Sequence, residues 1–185
     1  MNEVMRAITE RNSCRDFFPD AISQSDVETI VQAALSAPSA MNKMPWHIIA
    51  VTDKALIEEM DTAAMQEIAG WDNKAAFDRM KERGGRVFYN APCMIFVTND
   101  GTEYSTIDGG IVTQNVTLAA HSLGLGSVIV AMAKIPLNGP RGEEFKKRLK
   151  FPEGHTFGMA ICVGNVQTGK APHEHDTSKV TYIKG

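Results

Sequence analysis

The chain has 185 residues, 43% of them hydrophobic and 22% charged, with a formal net charge of -3. That length suits one domain with a substantial core. The slight acidic excess argues against a nucleic-acid binder, for which a basic surplus is usual, and no apolar run is long enough to span a bilayer. Glu3, Arg6 and Glu10 interrupt the N-terminus, which therefore does not read as a secretory signal. Cys14, Cys93 and Cys162 are far apart and odd in number. They match neither a disulfide framework nor a metal-site spacing and suit a reducing cytoplasm.

In chain order, Val4 and Ile8 mark a short helix ending near Arg11. Ser23 opens a second, with Asp26 completing an S-x-x-D capping signature and Ile22 and Val27 placed as a hydrophobic staple. Val27, Ile30, Val31, Ala34 and Leu35 form its apolar stripe, and Pro38 stops it. Trp46 to Thr52 reads as a strand. Residues 53–68 and 73–83 read as amphipathic helices, with Gly84-Gly85 as a break. A short apolar strand runs from Cys93 to Thr98. Thr106 to Leu123 is a helix with apolar residues on more than one side: Ile111, Leu118 and Ala119 on one, Val112, Val116 and Leu123 on another. Such a helix needs cover on several sides, and a second copy of the chain is an obvious source. Ser127–Val130 is a strand, 142–149 a charged helix and 156–163 a strand. The alternation at Val180-Thr181-Tyr182-Ile183 suggests a strand added to some sheet edge. Interleaved strands and helices without a linker indicate a single α+β or α/β domain.

Two stretches carry chemistry. In Arg11-Asn12-Ser13-Cys14-Arg15, alternate side chains of an extended segment point the same way, so two guanidinium groups and a hydroxyl can converge on one ligand, an arrangement that suits a phosphate; a solvated turn after the first helix is the alternative. Positive charge beside Cys14 would lower its thiol pKa. The loop Pro38-Ser39-Ala40-Met41-Asn42, before Pro45-Trp46, offers amides and hydroxyls suited to the edge of a planar heterocycle. Trp46 itself reads as core. Gly124-Leu125-Gly126 follows a helix, so it reads as a helix C-cap and not as a dinucleotide fingerprint. Asp108, Gln114 and Asn115 sit on a mostly apolar helix and read as packing or dimer contacts. His173-Glu174-His175-Asp176 lacks third and fourth ligands at metal-site spacing. His121 and His155 read as structural.

Taken together and in this order, these segments resemble the FMN-dependent nitroreductase family. The resemblance includes Gly109-Gly110-Ile111-Val112-Thr113-Gln114-Asn115 and Ala160-Ile161-Cys162-Val163-Gly164 and covers nearly the whole chain. It implies an α+β nitroreductase-like fold, a central mostly antiparallel sheet surrounded by helices. It also implies an intertwined homodimer whose tail, about residues 167–185, crosses to the partner. FMN would be the cofactor, with NADH or NADPH as donor. Arg11, Asn12, Ser13, Arg15 and Lys170 would serve the phosphate side, with His173 where many relatives carry Arg. Pro38, Ser39, Ala40 and Asn42 would border the ring, commonly from the partner subunit. Val130, Ala131 and Met132 would pass over the flavin near N5, with Ala131 and Met132 where well-known relatives carry Glu and Gly. No side chain acts as a nucleophile. The implied reaction is ping-pong hydride transfer through the flavin to a nitroarene, quinone or other electron-poor small molecule. Other flavin reactions on the same fold (dehydrogenation, dehalogenation or consumption of the flavin) and a non-enzymatic FMN-binding protein stand as alternatives.

Overall fold

The structure, a computed structural model, describes residues 1–172 and 174–185. Its centre is one antiparallel sheet of β1 (Trp46–Val51), β2 (Cys93–Asn99), β3 (Gly126–Ile129) and β4 (Thr156–Gly164), in spatial order β1-β2-β4-β3. The two inner strands are apolar almost throughout because both sheet faces are buried. In β2, Cys93, Ile95 and Val97 face one core while Met94 and Phe96 face the other. In β4, Ile161 and Val163 share the first face, Ala160 and Cys162 the second. This is the period-2 alternation of a pleated strand, with both phases hydrophobic.

The helices form a layer on each face. Val27, Ile30 and Ala34 of α2 (Gln24–Leu35) and Val112, Val116 and Ala120 of α5 (Ser105–Ser122) cover the first. α3 (Lys54–Ala69), α4 (Ala75–Glu82), α6 (Lys134–Asn138) and α7 (Gly142–Arg148) cover the second. α1 (Glu3–Glu10) touches α5 but buries none of its own residues, leaving Val4, Met5 and Ile8 exposed. Among the described residues no helix is long and apolar enough to cross a membrane.

Local signals set the boundaries. The Asp26 amide donates to the Ser23 hydroxyl at 3.1 Å, and the Leu56 amide to the Asp53 carboxylate at 3.1 Å, which satisfies an orphan donor at the start of α2 and of α3. At the end of α5, Gly124 takes a left-handed φ of 76°. Its amide donates to the His121 carbonyl, and the Leu125 amide to the Ala120 carbonyl. That pair of bonds is a Schellman cap, as the glycine's position after the helix predicts.

One expectation needs correction. Leu35, assigned to the buried stripe of α2, is exposed: the buried line of the helix runs through Val27, Ile30 and Ala34, and Leu35 falls beside it. Among the described residues the Val180–Ile183 segment, expected to add to some sheet edge, joins none of the four strands; Val180 has extended angles, and Val180, Tyr182 and Ile183 lie exposed. A lone extended segment has no ladder to hold it.

One buried charge organises the second layer. Asp61 of α3 accepts the Val87 amide at 2.7 Å and the Phe88 amide at 2.9 Å. It pairs more loosely with Arg86 at 3.6 Å. Burial pushes its pKa up, against the pull of the two amides and of Arg86. Asp61→Ala should therefore cost about 3 kcal/mol, because two amides lose their acceptor. Arg86→Ala should cost about 1 kcal/mol or less, since that side chain is half in water. A carboxylate with a raised folded-state pKa contributes most below the ordinary aspartate range and less as pH rises through the raised value. Urea unfolding against pH, compared with Asp61→Asn, checks both points; equal costs for Ala at 61 and 86 would contradict the assignment.

Candidate functional site

The Arg11–Arg15 segment leaves α1 and runs across the edge of the sheet. Ser13 forms a parallel bridge with Ser127 of β3, and the Cys14 amide donates to the Ser127 carbonyl at 3.0 Å. Cys14 points inward and is buried, while its neighbours Ser13 and Arg15 are on the more open side. The alternation expected of an extended strand is thus present at Ser13, Cys14 and Arg15. The crossing depends on a missing side chain. A Cβ at Gly126 would stand 2.7 Å from Val166 Cγ2 and 2.9 Å from Cys14 Cβ. Among the described residues, neither Arg11 nor Arg15 enters an ion pair. Among the described residues Asn12 makes a local bond, from its side-chain amide to the Glu10 carbonyl.

The chain after β4 returns to this segment. Phe17 bridges Val166 in antiparallel fashion, and the Phe18 amide donates to the Asn165 carbonyl. The Gln167 amide donates to the Asp16 carbonyl, and the Thr168 hydroxyl to the Asp16 carboxylate. Lys170 follows two residues later and is exposed. His173 lies outside the described residues.

The second half of the site is the loop between α2 and β1. Met41, Asn42 and Met44 all adopt left-handed φ, at 53°, 54° and 47°. For residues with a Cβ this costs energy and persists only where surroundings hold it. Two anchors are present: the Met44 amide donates to the Ser39 hydroxyl at 2.9 Å, and the Ala40 amide lies 3.2 Å from both carboxylate oxygens of Asp108. Pro38 precedes these anchors, at the end of the α2 cap. Asp108 is where reading of the sequence fell short. It was expected to pack its helix or a dimer contact, yet it reaches a loop 68 positions away. Asn115 does tie helices together, donating to the Ala33 carbonyl at 3.0 Å.

The two halves occupy opposite edges of the sheet. The loop feeds β1, whereas the arginine segment lies on β3. Three strand spacings separate those edges, roughly 14 Å. Val130 ends the β3 path, buried, with its amide donating to the Ala160 carbonyl at 2.8 Å. Ala131 and Met132 then enter a 3-10 turn, Ala131–Ala133, in which Ala131 is exposed. As the first residue of a helical turn, Ala131 has an N–H without an intrahelical acceptor.

Other candidates fall into structural roles. Trp46 is buried in the core. His155 Nδ1 shares a 2.8 Å hydrogen bond with the buried Thr98 hydroxyl, and His121 lies 3.9 Å from Glu10. The expectation for Cys14 is reversed: burial pushes its thiol up, outweighing its hydrogen bond to the Asp16 carbonyl and the Arg15 charge, which pull it down.

A model of the nitroreductase family matches residues 8–165. The chain belongs to that family. A nitroreductase from Desulfitobacterium hafniense, solved with bound FMN, is 42% identical over the full length of both chains, with a TM-score of 0.96. The FMN reductase [NAD(P)H] of Bacillus subtilis is 28% identical over 99% of this chain and 76% of its own. Iodotyrosine deiodinase, solved with FMN and 3-iodo-L-tyrosine, has a TM-score of 0.75 over 98% of this chain and 100% of its own. At 20% identity it shares the fold alone. Within this nitroreductase-family chain Cys14, Cys93 and Cys162 are all buried, with the Cys93 thiol pushed up to about 12. The folded protein should therefore react negligibly with a thiol reagent at mild alkaline pH and yield three equivalents once denatured. Fast modification of Cys14 in the folded state would contradict its burial.

Proposed function

We propose that the chain is an NAD(P)H-dependent flavin oxidoreductase that binds FMN in a site built from both halves described above. The observation that carries this reading is the pinned arginine segment. Two guanidinium groups without carboxylate partners among the described residues are held by a backbone bridge beside Ser127. An unpaired pair of cations in fixed backbone geometry fits a phosphate dianion.

Arg11, Ser13 and Arg15, with Asn12 between them and Lys170 from the returning tail, hold the phosphate. His173 joins them, adding attraction when it is protonated. Pro38, Ser39, Ala40 and Asn42 border the ring, and the Ala131 amide, between Val130 and Met132, offers a donor to the ring edge near N5. FMN bound there would supply the redox chemistry, hydride transfer between NADH or NADPH and a nitroarene, quinone or other electron-poor small molecule. Donor and acceptor use one face in turn, so kinetics are ping-pong. No side chain of the chain serves as a nucleophile, and the protein's part is binding, orientation and electrostatics.

The active form is a homodimer. Opposite-edge placement of the two halves supports a site shared between copies, because a loop on β1 of one chain can meet the arginine segment of another. Exposed apolar side chains support the same reading. Ile107 and Ile111 on α5 and Val4 and Ile8 on α1 remain uncovered in one chain. The tail, with Val180, Tyr182 and Ile183 exposed, crosses to the partner.

The test is flavin affinity with and without phosphate. Arg15→Ala and Lys170→Ala should each weaken FMN by about 1.5–3 kcal/mol while leaving riboflavin nearly unchanged. Equal losses for both flavins would remove these residues from the phosphate. FMN affinity should also fall as pH rises through the His173 pKa, and His173→Arg should flatten that fall, since the imidazolium loses its charge. Identical pH profiles for the two proteins would exclude His173. A protein that takes up neither flavin would overturn the proposed function. Sedimentation of a folded, FMN-loaded monomer would overturn the dimer.

A further inference from the structure

The loop proposed to border the flavin ring is held in a conformation its own sequence does not favour. Three of its residues, Met41, Asn42 and Met44, are left-handed, and none is glycine. Chain-local bonds secure only part of it: Asn42 N to the Ser39 carbonyl, Lys43 N to the Ala40 carbonyl, and Met44 N to the Ser39 hydroxyl. These fix the turn internally but do not attach it to the body of the protein. Its long-range polar attachment is the Ala40 amide at 3.2 Å from each Asp108 oxygen.

Asp108 is itself a buried carboxylate, 4% exposed, on the first turn of α5. Among the described residues it forms no ion pair. A buried charge without a cation is costly unless hydrogen bonds and a helix N-terminus compensate it. Here the helix start and the Ala40 amide supply that compensation. Breaking the contact therefore penalises both sides: the carboxylate loses a donor, and the strained loop loses its tether.

We propose that Asp108 is a positioning residue for the flavin site: it fixes Ser39, Ala40 and Asn42 in their ring-facing conformation without touching the cofactor itself. The proposal rests on the flavin reading above and adds a residue that reading does not use. It makes a specific distinction. A residue that acts through the ring loop affects every flavin, whereas the arginine segment affects only those bearing phosphate.

The experiment measures dissociation constants of FMN and riboflavin for wild type, Arg15→Ala, Asp108→Ala and Ala40→Pro. Proline at 40 removes the donor N–H at the first position of a helical turn, after an extended Ser39, where its ring is tolerated. Asp108→Ala and Ala40→Pro should each weaken both flavins equally, about ten- to a hundredfold. They should also shift the visible absorbance of flavin bound at saturation. Arg15→Ala should weaken FMN alone and leave that spectrum as in wild type. The double variant Asp108→Ala/Ala40→Pro should lose little more than either single one, since both break the same contact.

Wild-type affinities and spectra in Asp108→Ala and Ala40→Pro would overturn the positioning role while leaving the flavin reading intact. Additive losses in the double variant would also overturn it. Absence of flavin binding by wild type would instead overturn the flavin reading, and this role with it. If Asp108→Ala does not fold, Ala40→Pro decides alone, by the same equal loss and the same spectral shift.

Discussion

The short ladder between Ser13 and Ser127 is the contact on which the rest depends. It fixes where the N-terminal segment leaves α1 and which way its side chains point. The inward position goes to Cys14, which stands so close to Gly126 that, with Val166 also beside the glycine, no room is left for a Cβ there. With Cys14 committed to the core, Ser13 and Arg15 are left on the open side. The returning chain at Val166–Thr168 then locks onto Asp16 and Phe17. The open-side placement of Ser13 and Arg15, on which the proposed phosphate site rests, thus follows from a backbone bridge and a thiol packed as a small hydrophobe, and among the described residues no ion pair orients the arginines.

The sheet serves as a spacer as well as a core. Its inner strands are hydrophobic on both faces, so the sheet is buried from both sides and active groups are confined to its edges and ends. The arginine segment lies along β3 and the strained loop enters β1, at the far edge. α5 lies across the sheet between these edges. One of its residues, Asp108, holds the loop, and others, such as Ile107 and Ile111, stay exposed. In the proposed dimer the same helix supports the loop and supplies contact surface, which couples assembly to the shape of the site.

Much of this was legible in the sequence wherever the controlling interaction is local. The Ser23 cap, the Asp53 helix start, the Gly124 cap and the strand at Cys93 each depend on residues a few positions apart, and each is where the pattern placed it. The same holds for Ser13 and Arg15, whose common side follows from strand geometry. The illegible parts depend on distant partners. Cys14 lies between two arginines, which suggests a lowered thiol pKa. Its actual environment is set by residues beyond 120 in the chain, and burial wins. Asp108 looks like a polar interruption of an apolar helix until its tie to Ala40 is seen. The tail belongs with these: its alternating residues suit a strand, and among the described residues of one chain none pairs with them, so its placement depends on a partner outside the chain.

The central claim is that one flavin site is assembled from the arginine segment of one chain and the ring loop of another. The most direct test is subunit complementation. Chains carrying Arg15→Ala are co-expressed with differently tagged chains carrying Ser39→Ala and Asn42→Ala, and mixed dimers are purified through both tags. Each parent homodimer has both of its sites damaged. The mixed dimer should recover one undamaged site, binding one FMN with wild-type affinity and reducing it with NADH or NADPH. If both halves of a site came from the same chain, every site in the mixed dimer would remain damaged, and no high-affinity FMN would be bound.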